Sequence, residues 1–218
     1  MALLKKLLLW SIMGPLLVWS TLILHVIYHH GFTEPAGLSA PQWPDHIKPD
    51  MKEAMIANRK YIIDDLKAVM SGMLKPAKFI STRATADFIW EDPFERFEGA
   101  SDVGSFLDMN QYIDGVTFKV HHEVHSVHEI ILDWEVGFGS KGLSWLKVNI
   151  PMRIHLLLEP AENPGSSERL FKLVEEWGGN VLLTEKSLPM PPYLGLIHQS
   201  LRGFTGSLVL WPAKKGLL

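Results

Sequence analysis

Cysteine is absent from this chain of 218 residues, which excludes a disulfide framework and any thiolate metal site. Asn-x-Ser/Thr acceptors are missing too, so nothing in the sequence calls for a glycosylating lumen. No HExxH pair, phosphate-binding glycine loop ending in Lys-Ser/Thr or Gly-x-Ser-x-Gly elbow occurs, and with them go the common metalloprotease, nucleotidase and serine-hydrolase readings. Charge of one sign is scarce: 21 basic against 24 acidic residues leave a net charge of -3, with no basic stripe interleaved with aromatics. A nucleic-acid partner is therefore not expected.

What the chain has in quantity is apolar sequence, 47% of the total, arranged in two different ways. Residues 7–28, LLLWSIMGPLLVWSTLILHVIY, contain no acidic residue, lysine or arginine. As a helix they span roughly 33 Å, enough for a hydrocarbon core of about 30 Å. Lys5 and Lys6 precede them and favour keeping the N-terminus on the cytosolic or matrix side. A cleaved signal peptide is the competing reading, but its apolar region is normally about 7 to 15 residues and no small-x-small site follows cleanly. The expectation is a single-pass anchor over residues 1–28, in a mitochondrial or endoplasmic reticulum membrane. Pro35, Pro41, Pro44 and Pro49, with Gly31 and Gly37, make residues 29–49 an extended tether.

From residue 50 the apolar positions become periodic. Asp50 and Glu53 form a capping pair ahead of a long amphipathic helix carrying Met55, Ile56, Ile62, Ile63, Leu66, Val69, Met70 and Met73, which Pro76 ends. A short helix with Phe79 and Ile80 leads into residues 88–107, FIWEDPFERFEGASDVGSFL. That segment reads as strand, tight turn at Asp92-Pro93, strand, a break at Gly99, and a helix opened by Ser101 and Asp102. Period-two alternation follows. Val116, Phe118, Val120, His122 and Val124 share one face; Leu132, Trp134, Val136 and Phe138 alternate with Asp133 and Glu135; Val148 to Leu158 repeats the pattern, and 170–177 closes it. Residues 186–218, with Leu194, Ile197, Leu201, Phe204 and Leu208 three or four apart, suit an amphipathic helix that lies either on a membrane or on the domain.

The helix, helix, strand pair, helix, long-strand order of residues 50–180 resembles the SnoaL-like, nuclear transport factor 2-like superfamily. The resemblance implies an α+β fold in which a curved, mostly antiparallel sheet wraps three helices into a cone, here a domain over residues 50–185. Likeness to ketosteroid isomerase, scytalone dehydratase and polyketide cyclases implies cofactor-free proton transfer in an apolar pocket. Other relatives bind hydrophobic ligands or act as docking scaffolds. Three functions are therefore carried forward: a membrane-anchored domain binding an apolar small molecule or lipid, an accessory subunit of a membrane protein complex, and a cofactor-free isomerase or dehydratase.

Strand parity selects the site. If Trp90 points inward so does Asp92, and the same test places His122 with Phe118, and Glu175 with Trp177. Asp92 and His122 are the expected acid–base pair; Trp90, Phe118, Trp134, Glu175 and Trp177 are the expected ligand-binding residues. The competing structural reading has Asp92 capping the turn at Pro93 and His122 bonded to a carbonyl. No metal is expected at His121, His122, His125 and His128, because strand residues two apart stand about 6.6 to 6.8 Å from one another.

Overall fold

The computed structural model describes residues 43–44, 46–92, 95–109, 113–140, 143–159 and 168–177, with Gly203, Gly206, Ser207 and Leu210 of the tail. The anchor segment 1–28 and most of the tether and tail lie outside these residues. No helix among the described residues is long and apolar enough to cross a membrane.

Helix α1 runs Pro49–Met70. Proline suits its first position, where no backbone N–H is needed, and this puts Asp50 inside the helix; the capping pair expected of Asp50 and Glu53 does not form. Its end also differs from expectation. The helix stops at Met70, with Gly72 at φ 69°, and Pro76 opens the next helix instead of ending this one. Met73 accordingly falls off the apolar stripe and is exposed, while Ile62, Ile63, Leu66, Val69 and Met70 are buried. Helix α2, Pro76–Arg83, buries Phe79 and Ile80 and passes straight into strand β1, Ala84–Glu91. Strand β2, Arg96–Glu98, folds back on it, and Gly99 at φ 82° turns the chain into helix α3, Ala100–Asp108.

Four longer strands complete the sheet: β3 Ile113–His125, β4 Glu129–Ser140, β5 Leu143–Glu159 and β6 Arg169–Trp177. The sheet order is β2-β1-β6-β5-β4-β3, antiparallel except where β1 meets β6. Register shifts in β3/β4, β5/β6 and β1/β6 bend it, as bulges do. The string Gly137-Phe138-Gly139-Ser140-Lys141-Gly142 has the spacing of a dinucleotide loop. It joins two antiparallel strands, though, and no helix follows to receive a pyrophosphate.

The inner face is filled. Phe88, Trp90, Phe97, Trp134, Met152, Ile154, Leu156 and Leu173 are each no more than 2% exposed and form one cluster with the buried stripe of α1. Phe106 of α3 stacks on Phe97 with centroids 4.3 Å apart and meets Trp90 edge-on at 5.7 Å. Leu210 of the tail belongs to the same cluster, and a Cβ on Gly206 would stand 2.7 Å from the Arg96 carbonyl oxygen. Those tail residues therefore sit on the domain beside β2.

One charge interrupts the stripe of α1. Arg59 is fully buried and donates to both carboxylate oxygens of Glu168 at 2.7 Å, to the Ser126 carbonyl and to the Val127 carbonyl. It pins α1 to the β3–β4 hairpin and to the start of β6. Trp43 covers it, the ring centroid 5.9 Å from the guanidinium, so the tether expected to run free is already packed on the domain at Trp43. The outer sheet face is polar, as the alternation predicted, but its charges are paired. Arg153 bridges Asp133 at 2.7 and 3.0 Å, and Glu91 lies between Arg96 and Lys172. His155 stands between Glu129, at 2.6 Å, and Glu176, at 3.3 Å. Burial opposes a charge on His155, yet the two carboxylates outweigh it and raise the imidazole to about 9.

Candidate functional site

Parallel pairing of β1 with β6 sets Trp90 beside Leu173 and Glu91 beside Val174, so the next inward positions along the two strands are Asp92 and Glu175. Both are buried, 5% and 7% exposed. The Asp92 carboxylate accepts the Glu95 backbone N–H at 2.6 Å while the Asp92 N–H donates to the Glu95 carbonyl at 3.0 Å. This closed turn is the structural role anticipated for Asp92, and it carries the Glu95 carboxyl into the same neighbourhood. Three carboxyls thus converge where β1 and β6 end.

Two indoles border them. Trp177 donates its Nε1–H to Glu175 at 3.0 Å. Trp90 lies close enough for its N–H to act on the same carboxyl without hydrogen-bond geometry, and its Nε1 has no other partner among the described residues. Burial pushes Glu175 up to about 8; the Asp92 charge adds to the rise, the indoles of Trp177 and Trp90 oppose it, and Glu95 contributes further. Burial, then Asp92, pushes Glu95 up to about 7. At neutral pH this end of the cone therefore holds a protonated carboxyl, able to donate a hydrogen bond, beside a second one that exchanges its proton.

His122 is not part of this group. A register shift in β3 between Val120 and His122 makes His121 the extra residue, so inward parity passes from Val120 to Glu123 and His125. His122 emerges on the outer face, 67% exposed at its side chain, with Nδ1 3.9 Å from Asp133. β6, β5 and β4 stand between it and Asp92, roughly 19 Å measured across the sheet. The expected Asp92–His122 pair does not form. The same shift buries His125, whose Nε2 lies 2.7 Å from Glu123, and sends His121 toward Glu135 at 3.8 Å. Among the described residues no three such side chains gather as a metal site would require.

Of the expected ligand-binding residues, Trp90 and Trp134 are core, each 1% exposed. Phe118 is half-buried and edge-on to Trp134, centroids 5.2 Å apart. Glu175 and Trp177 do meet at the carboxyl cluster. Sequence reading missed Glu95, although Asp-Pro-Phe-Glu places it where an Asx turn would bring it. It also missed Arg59, whose signal was a charge at the buried positions of α1, three and four residues before Ile62 and Ile63.

Element order and sheet order make the α+β arrangement that the sequence resemblance implied, three helices against a curved, mostly antiparallel sheet of six strands. Solved structures similar to this chain include a hypothetical protein with a ketosteroid isomerase-like fold from Catenulispora acidiphila, at 16% identity and TM-score 0.43, covering 60% of this chain and 93% of that one. A SnoaL-like polyketide cyclase from Shewanella denitrificans, so described in its structure, matches at 15% identity and TM-score 0.44 over 60% of this chain and 91% of that one. A ketosteroid isomerase-like protein from Erwinia carotovora atroseptica matches at 8% identity and TM-score 0.44 over 60% and 98%. These are likenesses of fold alone. No protein-family model and no curated protein matches the chain.

Proposed function

We propose that this is a membrane-tethered SnoaL-like domain that binds an apolar small molecule or lipid, with the polar group of the ligand meeting Asp92, Glu95 and Glu175 at the end of the cone. The observation that carries this reading is Glu175, a carboxyl buried at the end of β6 beside Asp92 and Glu95. Such a group is costly to bury and serves naturally as a hydrogen-bond donor to a bound molecule. The apolar segment 7–28 supports a setting in a mitochondrial or endoplasmic reticulum membrane, where hydrophobic ligands are concentrated. If turnover accompanies binding, the proton-exchanging groups are Glu95 and Glu175 with Asp92, and no part falls to His122.

A second reading is favoured by one observation: Phe88, Trp90 and Trp134 fill the middle of the cone, which suits an accessory or scaffold subunit of a membrane complex. Native mass spectrometry of the full chain, purified in mild detergent, separates the two. The binding reading predicts a recurrent one-to-one small molecule that is retained by the native chain and depleted in Asp92→Leu and Glu175→Leu. A native chain that carries protein partners and no small molecule supports the scaffold reading. A molecule held equally by both variants removes the carboxyl cluster from the account.

A further inference from the structure

At the other end of β1, seven residues and roughly 23 Å of strand from Asp92, lies a concavity. It is a groove of about 550 Å³ between α2 and α3, floored by the first residues of β1. Its walls are built mostly of small residues, apolar at Pro76, Ala77, Ile80, Ala100 and Gly104 and interrupted by the hydroxyls of Ser81, Ser101 and Ser105. Absent side-chain bulk makes the groove, and the volume is that of a metabolite site.

Two polar side chains reach it from adjacent strands, Thr85 buried on β1 and Arg169 exposed on β6. Thr85 lines the floor, is 7% exposed, and its Oγ1 is buried without a hydrogen-bond partner among the described residues. A hydroxyl so placed costs free energy unless something arrives to bond it. Arg169 also lines the groove and has no ion pair among the described residues, whereas Arg59, Arg83, Arg96 and Arg153 each hold a carboxylate. Thr85 and Arg169 flank the Ala84–Leu170 pair of neighbouring strands, so a hydroxyl and a guanidinium are offered from adjacent strands. That combination matches an oxyanion, and the small-residue walls match a short hydrocarbon.

We propose that this groove binds a small apolar carboxylate, its carboxylate held by Arg169 and Thr85 and its hydrocarbon part lying along Ala77, Ile80, Ala100 and Gly104. The site is independent of the carboxyl cluster, where the Asp92 charge would oppose such a ligand. Asp108 lines the groove as well and disfavours a second anionic group.

Calorimetric titration of the full chain with sodium octanoate, and with octylammonium chloride as the contrast, tests this. Octanoate should bind saturably and octylammonium should not. Arg169→Gln should weaken octanoate roughly tenfold or more by removing the charged partner. Gly104→Leu should do the same by filling the groove; a Cβ there meets only the Ile80 Cδ1 at 3.4 Å, so the helix accepts it. Lys119→Gln, exposed on the edge strand β3 away from both sites, should leave octanoate binding unchanged. The proposal is overturned by the absence of saturable octanoate binding, by equal binding of the ammonium, or by octanoate binding that survives Arg169→Gln and Gly104→Leu.

Discussion

Replacing Arg59 by methionine should destabilise the domain by about 3–5 kcal/mol. The guanidinium is fully buried and its removal strands the Glu168 carboxylate, 12% exposed at its side chain, together with the carbonyls of Ser126 and Val127. Lysine should not rescue it, because one ammonium cannot reach two carboxylate oxygens and two carbonyls in different directions. The double change Arg59→Met with Glu168→Leu should recover part of the loss, since the uncompensated charge is then gone. Urea denaturation followed by tryptophan fluorescence measures all three. Against a total stability of roughly 5–15 kcal/mol, the single variant would be close to unfolding. A loss under about 1 kcal/mol would mean that Arg59 is solvated and that α1 is held by its apolar stripe alone.

Stability should also fall as pH rises through neutrality, because Glu175, Glu95 and His155 all hold a proton longer in the fold, and Glu175→Gln should remove the Glu175 share of that fall. The folded chain keeps the Glu175 proton up to about 8, whereas the unfolded chain loses it near 4.5. Below 4.5 both states are protonated and the group contributes nothing; between 4.5 and 8 the unfolded state is favoured progressively, and above 8 the penalty is constant. Each pH unit in that window costs about 1.4 kcal/mol per proton held, so the total is a few kcal/mol. His155 acts in the same direction: its paired charge stabilises the fold fully below 6.5, and that contribution is lost as pH rises through about 9. Glu123, held below the ordinary carboxylate range by its hydrogen bond with His125, has the opposite sign and loses its contribution in acid. The native chain should be most stable on the acid side of neutrality. Glutamine mimics the protonated carboxyl, so Glu175→Gln should match the native chain near pH 5 and exceed it at pH 8. A variant weaker by the same amount at every pH would show that Glu175 is ionised in the fold.

The order of elements was legible because it relies on short-range chemistry: the apolar stripe of α1, the break at Gly99, and period-two alternation in β3 to β6; Pro49 and Pro76, read as tether and helix end, instead open helices. Parity put Asp92 and Glu175 on the inner face, where both are buried, because each stands two residues along from a buried neighbour, Trp90 or Leu173, with no register shift between; that they share one end of the sheet follows from the β1/β6 register, which alternation does not show. It failed for His122, where one bulge residue exchanges the two faces, and no residue type in His121-His122 announces a bulge. The filled cone was illegible for another reason. Alternation says which side chains point inward, but whether Trp90 and Trp134 leave room between them depends on how far the strands curl and on what α1 presents. The groove beside Thr85 was invisible in the same way, since it arises from small residues of two separate helices.

The central claim is that a carboxyl inside the cone stays protonated at neutral pH beside Asp92, and a carbon-13 titration of glutamate carboxyls reports it directly. The account predicts two glutamates with apparent midpoints near 7 and 8, the higher one vanishing in Glu175→Gln and the lower in Glu95→Gln. Every glutamate titrating close to the ordinary value of 4.5 would contradict it.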